Sequence, residues 1–306
     1  SNLLLDYGHE VDIIDNLSTG SKNNIPLKAI FHKVDIGNKK EIKKILSKRN
    51  LNIIFHFAAF IDNKESIQNP KKYFDNNFKK GKIFFETCIE SNIKKFIYSS
   101  TAAVYANKNN KISEKSSVKP ASPYGDSKLK LEKFLNKKKN IIDCVILRYF
   151  NVIGVESKFR CGFNIKKGSN LILNLCAAFT KNKIFTINGN DYKTFDGTCI
   201  RDYIHVEDLA KIHILLANSL LKNKIFKVFN CGYGYGFSVK QVLKEFISCS
   251  KNKIKIKVGK RRSKDIIISI ANPNKLKKFI RWKPKYNNLL YAVKSSLKWY
   301  KKMSNY

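Results

Sequence analysis

Through the first half of this chain, short runs of β-branched and aromatic residues alternate with longer stretches whose apolar positions recur every three or four residues. That alternation restricts the fold to strands joined by helical crossovers. Residues 11–15, 30–33, 53–57, 95–99 and 144–149 read as strands, and residues 39–47, 70–90 and 122–136 as the helices between them. Repeated β-then-α units set the strands parallel with helices on both faces, a doubly wound α/β sheet. From Asn151 the pattern loosens, and helices near 171–181, 206–220 and 238–247 are separated by loops rich in Gly, Asn and Asp. We expect two domains. Residues 1–152 form the parallel-sheet domain, and residues 153–306 form mainly a smaller capping domain interleaved with late strands and helices of the first.

The size of the chain agrees with this organisation. Its 306 residues, 43% apolar and 27% charged, supply one large α/β unit or two modest cores, and exclude a disulfide mini-protein or a disordered tail. Lys and Arg number 60 against 23 Asp and Glu, a formal net charge of +37, which attracts nucleic acid and anionic lipid non-specifically. Only 7 of those 60 are Arg, however, and nucleic-acid recognition relies on Arg forks and clustered aromatics. The Lys excess, with abundant Asn and Ile, reads as compositional drift, so no specific nucleic-acid partner is expected. The 7 cysteines, an odd count without a CxxC pair, give no zinc or redox pattern and suit a reduced cytoplasm. No apolar run reaches the ~18 residues of a membrane span and no secretory leader is recognisable, so no membrane partner is expected.

Leu3, Leu4 and Leu5 followed by Gly8 read as the end of a helix and its glycine stop, after which Asp15 closes a strand. In a dinucleotide fold such an acid lies ~20 residues after a glycine-rich phosphate turn and bonds the adenosine ribose. Counting back that far from Asp15 passes Ser1, so we expect the first strand and its phosphate-cradling turn to lie outside this sequence. Weakened cofactor binding and open sheet edges are then expected. An ordinary loop carboxylate at a strand end is the plain alternative for Asp15.

The most informative chemistry lies between residues 99 and 128. Tyr124 and Lys128 are one helical turn apart, so both side chains reach the same side of the expected helix. A phenol of pKa ~10 is a poor base at neutral pH; a neighbouring ammonium is expected to lower that value, so that Tyr124 takes a proton from a substrate hydroxyl. Tyr-x-x-x-Lys alone is a weak signal in a chain rich in both residues. It gains weight from Thr101, a hydroxyl just past the 95–99 strand, at the carboxyl end where open α/β sheets bind ligands.

Alongside these residues, the stretch 189–210, reading GNDYKTFDGTCIRDYIHVEDLA, resembles the signature of the UDP-glucose 4-epimerases within the extended short-chain dehydrogenase/reductase family. Shorter matches accompany it at Asp15-Asn16-Leu17, Asp35-Ile36, His56-Phe57-Ala58-Ala59, Asn76-Asn77, Pro123-Tyr124-Gly125 and Arg148-Tyr149-Phe150-Asn151. The resemblance runs from about Asp6 to Trp299.

What the resemblance implies is specific. Residues 1–152 would be a Rossmann-type domain holding NAD, and the remainder would bind a UDP-hexose. Tyr124 would be the catalytic base and acid, Lys128 its electrostatic partner and a nicotinamide-ribose ligand, and Thr101 the hydroxyl bonding the sugar oxygen. Asp15, Asn16, Leu17, Ser18, Thr19 and Gly20 would hold the adenosine end of NAD. Asp35 and Ile36 would hold the adenine, Phe57, Ala58, Ala59 and Asn77 the middle of the cofactor, and Phe150 would flank the nicotinamide. Asn151, Asn170, Leu171, Arg201, Arg262 and Asp265 would contact the nucleotide-sugar, the arginine forks suiting a diphosphate. For Arg262 a solvated charge in the basic run 260–264 is the plain alternative. The implied reaction is NAD-dependent interconversion of UDP-glucose and UDP-galactose through a transient 4-keto sugar, by a cytoplasmic homodimer of galactose metabolism without a metal.

Sister activities are separated by particular positions. Ala102 and Ala103 stand where a nucleotide-sugar 4,6-dehydratase would carry an Asp-Glu acid/base pair, which favours plain epimerisation. Another NAD-dependent epimerase or dehydratase of the family, or an inactive nucleotide-sugar-binding remnant, is the alternative. Ala106, Ile61 and the pair Ser263-Lys264 depart from the family pattern, each weakening one contact. Ser269 falls where a bulky aromatic would narrow the sugar pocket, so N-acetylated UDP-hexosamines are expected to fit as well.

Overall fold

The computed structural model describes residues 1–106, 111–165, 170–249, 254–262 and 265–304. The chain divides into two compact units that interleave in sequence. The first comprises Ser1–Ala106, Ser116–Tyr149 and Ala210–Phe229, and the second Asn107–Lys115, Phe150–Leu209 and Asn230–Tyr306.

In the first unit the expected parallel strands form. Lys95–Thr101 pairs in parallel with Ile54–His56 on one side and with Asp143–Tyr149 on the other. Phe226–Cys231, next to Asp143–Tyr149, completes a four-stranded sheet. Asp12–Ile14 and Ile30–His32 form a separate parallel pair. Phe96, Ile97 and Tyr98 are buried on the inner strand, the continuous apolar run that a strand covered on both faces requires. Ile42 and Leu46 of helix Lys39–Leu46, Phe84 and Phe85 of Gly81–Glu90, and Leu131 and Leu135 of Pro123–Lys137 pack into the same core.

Residues 70–90 are not the single α-helix that their spacing suggests. Pro70–Tyr73 passes into a π-helical stretch, Phe74–Lys80, before Gly81–Glu90 resumes the α-helix. The wider turn carries Asn77 to 1% exposure. There its amide accepts from Phe60 N at 2.8 Å and donates to Phe60 O at 2.9 Å and Ser127 Oγ at 3.2 Å. A polar side chain placed so deep persists because every one of these bonds is made.

The second unit contains short strands where the sequence suggests only loops. Phe237–Ser238, Ile200–Arg201, Ile268–Ala271 and Lys111–Ile112 form a four-stranded sheet in that order. Tyr203–His205 pairs with Asn151–Ile153, and Ile256–Gly259 with Phe185–Asn188. Strands of two to four residues are too short to display alternation, which is why periodicity does not mark them. Helices Leu171–Lys181, Val239–Cys249 and Leu289–Ser304 bury Leu175, Phe179, Phe246 and Val293 in one core. Among the described residues, no helix is long and apolar enough to cross a membrane.

Two buried carboxylates tie the second unit together. Asp202, fully buried, accepts from the backbone N–H groups of Tyr233 at 2.8 Å, Gly234 at 2.9 Å and Ala271 at 3.2 Å. Asp208 accepts from Lys285 N at 2.9 Å, Tyr286 N at 2.8 Å and the Tyr233 hydroxyl at 2.6 Å. Asp202→Ala strips the partner from three backbone N–H groups and is expected to lower the unfolding free energy by about 3 to 5 kcal/mol, read as an earlier urea midpoint. A loss below about 1 kcal/mol would contradict the role given to this carboxylate.

Candidate active site

The carboxyl end of strand Lys95–Thr101 and the first two turns of helix Pro123–Lys137 bring together the residues singled out for proton chemistry. The helix starts where Ser122 accepts from Gly125 N at 3.2 Å and Pro123 occupies its first position. Gly125 lets this turn approach the strand closely, since a Cβ there would lie 2.4 Å from the Ala103 carbonyl oxygen. Tyr124 and Thr101 are consequently 8% and 9% exposed, and their hydroxyls are hydrogen-bonded to each other. Thr101 also accepts from Ala103 N at 3.1 Å, which fixes its side chain at the strand end. Lys128, 2% exposed, donates to Ser99 O at 2.6 Å, with its ammonium 4.9 Å from the centre of the Tyr98 ring.

The electrostatics differ from the sequence expectation. Burial pushes the Tyr124 phenol above its ordinary value, and the bond from Thr101 offsets this only in part. Burial also brings the Lys128 ammonium down to about 7, against the opposing pull of Glu132. Spacing along a helix reports proximity, whereas both groups here are governed first by their removal from water.

The residues expected to hold the cofactor follow the ends of parallel strands, the side on which such sheets bind ligands. After Asp12–Ile14, the Asp15 carboxylate accepts from Leu17 N at 2.6 Å and Asn16 Oδ1 from Ser18 N at 3.0 Å. Leu17 is left-handed, at φ 58°. A Cβ at Gly20 would lie 3.2 Å from the Asp15 carboxylate, so the loop closes over that acid because position 20 lacks a side chain. Thr19 lies in the same loop. After Ile30–His32, Asp35 accepts from Gly37 N at 2.8 Å, Lys80 Nζ at 2.7 Å and Asn16 Nδ2 at 3.0 Å. Its burial works against ionisation, yet these three donors hold the carboxyl below its usual range. Ile36 is buried beside it, while after Ile54–His56 the Phe57 ring is 58% exposed and Ala58 and Ala59 are half-buried. This donor set suits a dinucleotide: a short loop around a carboxylate for ribose hydroxyls, an apolar neighbour for the base, and a buried amine near the reacting end. A carboxylate in the ribose position expected of Asp15 would disfavour a 2′-phosphate, hence NADP.

In the second unit, Phe150 is buried and Asn151 exposed, and their N–H groups bond Cys231 O and Asp202 O, each at 3.0 Å. Asn170 caps helix Leu171–Lys181 by accepting from Leu173 N at 2.9 Å, and Leu171 packs on the core behind it. Arg201 donates to Ile200 O at 2.9 Å and reaches Asp265 at 3.5 Å. With the Asn188 amide turned so that its oxygen faces Arg262, Nε and Nη2 donate to it at 3.2 and 3.1 Å. Arg262 is thus tied to strand Phe185–Asn188.

Sequence reasoning left out three members of this group. Tyr192 donates to Asp265 at 3.3 Å, and Arg261 donates to Asp191 at 2.7 Å while lying 4.5 Å over the Tyr192 ring. Tyr192 stands inside the 189–210 stretch and could have been read there; Asn188 and Arg261 gave no such signal. Ser269 is buried at 6% exposure, in register with Arg201 on the neighbouring strand. Ile61 is 71% exposed, and Ala106 N donates to Ser117 O at 2.9 Å. Ser263 and Lys264 lie outside the described residues. No cluster of metal-ligating side chains occurs among the described residues.

Comparison with known proteins gives this geometry its family. Residues 1–232 match the family described as NAD dependent epimerase/dehydratase. The UDP-glucose 4-epimerase of Lactobacillus helveticus is 34% identical over 302 residues, covering 97% of this chain and 92% of that protein. The structure of the Bifidobacterium longum UDP-glucose 4-epimerase in complex with NAD+ and UDP superposes with a TM-score of 0.90 at 30% identity, covering 99% of this chain and 94% of that one. The UDP-Glc/GlcNAc 4-epimerase of Campylobacter jejuni gives a TM-score of 0.83 at 36% identity, over 98% and 94% of the two chains. The chain belongs to the NAD dependent epimerase/dehydratase family and, within it, to the UDP-glucose 4-epimerases.

Proposed function

We propose that this chain is an isomerase that interconverts UDP-glucose and UDP-galactose, inverting C4 through a transient 4-keto sugar with NAD as cofactor. The observation that carries the reading is the buried group Thr101, Tyr124 and Lys128 at the end of a parallel strand, followed directly by Ala102 and Ala103. The two alanines supply no acid or base for removing water, which sets epimerisation apart from dehydration. When bound, NAD supplies the acceptor and donor of hydride at C4.

The protein's part is orientation and proton transfer. Thr101 holds the Tyr124 phenol at the strand end. The proton of the sugar 4-hydroxyl passes to Tyr124 in its phenolate form and returns from the phenol so formed once the ring has turned over, so configuration changes without net oxidation. Burial disfavours the phenolate that takes this proton and Thr101 favours it, and the Lys128 ammonium, one turn along the same helix face, is the cation we assign to its support.

We assign NAD to the first unit, through residues 15–20, Asp35, Ile36, residues 57–59, Asn77, Tyr124 and Lys128. The UDP-hexose is assigned to the second, through Asn151, Asn170, Leu171, Arg201, Arg262 and Asp265, with Thr101 and Tyr124 at the sugar and Phe150 at the nicotinamide. A homodimer follows from the resemblance alone, and the cytoplasm from the odd cysteine count without a CxxC pair. A second reading, that N-acetylated UDP-hexosamines are accepted too, rests on the small buried Ser269 beside Arg201.

Tyr124→Phe is expected to lower kcat for UDP-galactose by about 10²- to 10⁴-fold while NAD stays bound, measured by coupled assay and cofactor absorbance. Full turnover by that variant would defeat the mechanism. Lys128 adds a test in the folded chain. Its pKa drops from 10.5 unfolded to about 7 folded, so the unfolded chain binds more protons between those values and stability rises with pH across that window. Lys128→Met should therefore be more stable than the parent by on the order of 5 kcal/mol below pH ~7, with the gain fading as pH rises and gone above pH ~10.5. A gain independent of pH would show Lys128 to titrate normally. For the second reading, Ser269→Tyr should abolish turnover of UDP-N-acetylglucosamine and spare UDP-glucose; no turnover of the acetylated sugar by the parent removes it.

A further inference from the structure

Helix Pro123–Lys137 carries a third buried polar residue on the stripe of Tyr124 and Lys128, one turn further on. Glu132 is 5% exposed. It accepts from Arg148 Nε at 3.0 Å, from Arg148 Nη2 at 2.5 Å and from the Ser100 hydroxyl in a short bond. Arg148 stands opposite Ser100 on the adjacent strand, and its remaining arm donates to the Tyr105 hydroxyl at 2.9 Å. The carboxylate is therefore held from two strands at once, next to the residue that precedes Thr101. A buried ion pair of this kind is weak support for stability, since an apolar pair of similar volume often serves as well. Its place in the site explains it better.

We propose that Glu132, clamped by Arg148 and Ser100, is a positioning residue for the reaction: it fixes the strand end bearing Thr101 and keeps the charge on Lys128. The proposal rests on the epimerase reading and deepens it. Lys128 meets Glu132 from its own helix, the Ser99 carbonyl and the Tyr98 ring from strand Lys95–Thr101, and His56 from strand Ile54–His56. Burial and then the Lys128 charge bring His56 down to about 3, so it is neutral and adds no charge near pH 7. Tyr98 is pushed far up by burial and stays protonated, and Arg148, pushed up by Glu132, stays charged. Glu132 is thus the one anion named among these groups, and it acts in favour of the ammonium.

The test compares the parent with Glu132→Gln, which removes the carboxylate charge, and with the paired variant Glu132→Gln/Arg148→Met, which removes both charges and avoids stranding a buried guanidinium. Two readouts are taken on the full chain with NAD. In the pH profile of kcat/KM for UDP-galactose, the alkaline limb should move about one unit lower, roughly tenfold less activity on that side with the acid-side plateau kept. In thermal unfolding referenced to the same variants carrying Lys128→Met, the pH at which stability begins to rise should move down by a similar amount. Glu132→Asp, which keeps the charge, should restore both.

If the limb and the onset stay in place in a folded paired variant, or if that variant cannot fold, the network serves the fold alone and the proposal is overturned. Absence of turnover by the parent would instead remove the epimerase reading, and the unfolding readout would still decide the effect of Glu132 on Lys128.

Discussion

A helix that buries polar side chains against a strand must give each of them a partner, because an unpaired buried polar group costs more than most single contacts return. Helix Pro123–Lys137 meets that requirement at three successive residues of the inner strand. Lys128 bonds the Ser99 carbonyl, Glu132 the Ser100 hydroxyl, and Tyr124 the Thr101 hydroxyl. Parallel pairing sets Ser100 opposite Arg148 and Thr101 opposite Tyr149. A slip of the helix by one turn would break all three bonds together and leave Arg148 uncompensated. Sheet register, helix position and reacting groups are thus one constraint met once.

How much of this the sequence discloses depends on whether a feature has a period. The inner strands and their crossover helices do, and they form within one or two residues of their expected bounds, the strand at 95–99 extending to Thr101. The π-helical stretch does not: one extra residue per turn leaves the apolar spacing of 70–90 helical in appearance, and only the inward amide of Asn77 betrays it. The strands of the second unit are too short for any period. In the site, the Tyr124 to Lys128 spacing is legible while its third member is hidden, since a Glu among the lysines of an amphipathic helix resembles a solvated charge. What one turn of separation means for a pKa is also not written in the spacing, and here desolvation dominates.

Electrostatically, the chain keeps two populations of charge. The formal excess of +37 comes from surface lysines. Some sit beside carboxylates, as Lys39 and Lys43 do at 2.8 Å from Glu90, in pairs whose exposure of about half lets water screen them. The charges inside are few and fully committed: Lys128, Glu132 and Arg148 in the first unit, Asp202 and Asp208 in the second. Exchanging one exposed lysine for another polar residue disturbs little, whereas each buried charge fixes several neighbours. A large net charge and a specific enzyme are therefore compatible, because the excess lies where it does not decide the fold.

The strongest sequence signal and the reacting groups are different residues, and the buried carboxylates say why. Within 189–210, Asp202 and Asp208 hold backbone N–H groups from segments 31 to 78 residues away, so that stretch is tied to distant parts of the second unit through its buried positions. The proton-transfer group is set more locally, and its anion has limited reach. Coulombic effects fall with distance, and Glu132 is already neutralised by Arg148. It raises Lys128, one turn away, whereas Tyr124, two turns away, is governed by burial and by Thr101. A lone carboxylate would have opposed the phenolate as well as favoured the ammonium. Paired with a guanidinium, it supports the ammonium one turn away and leaves the phenol to burial and to Thr101.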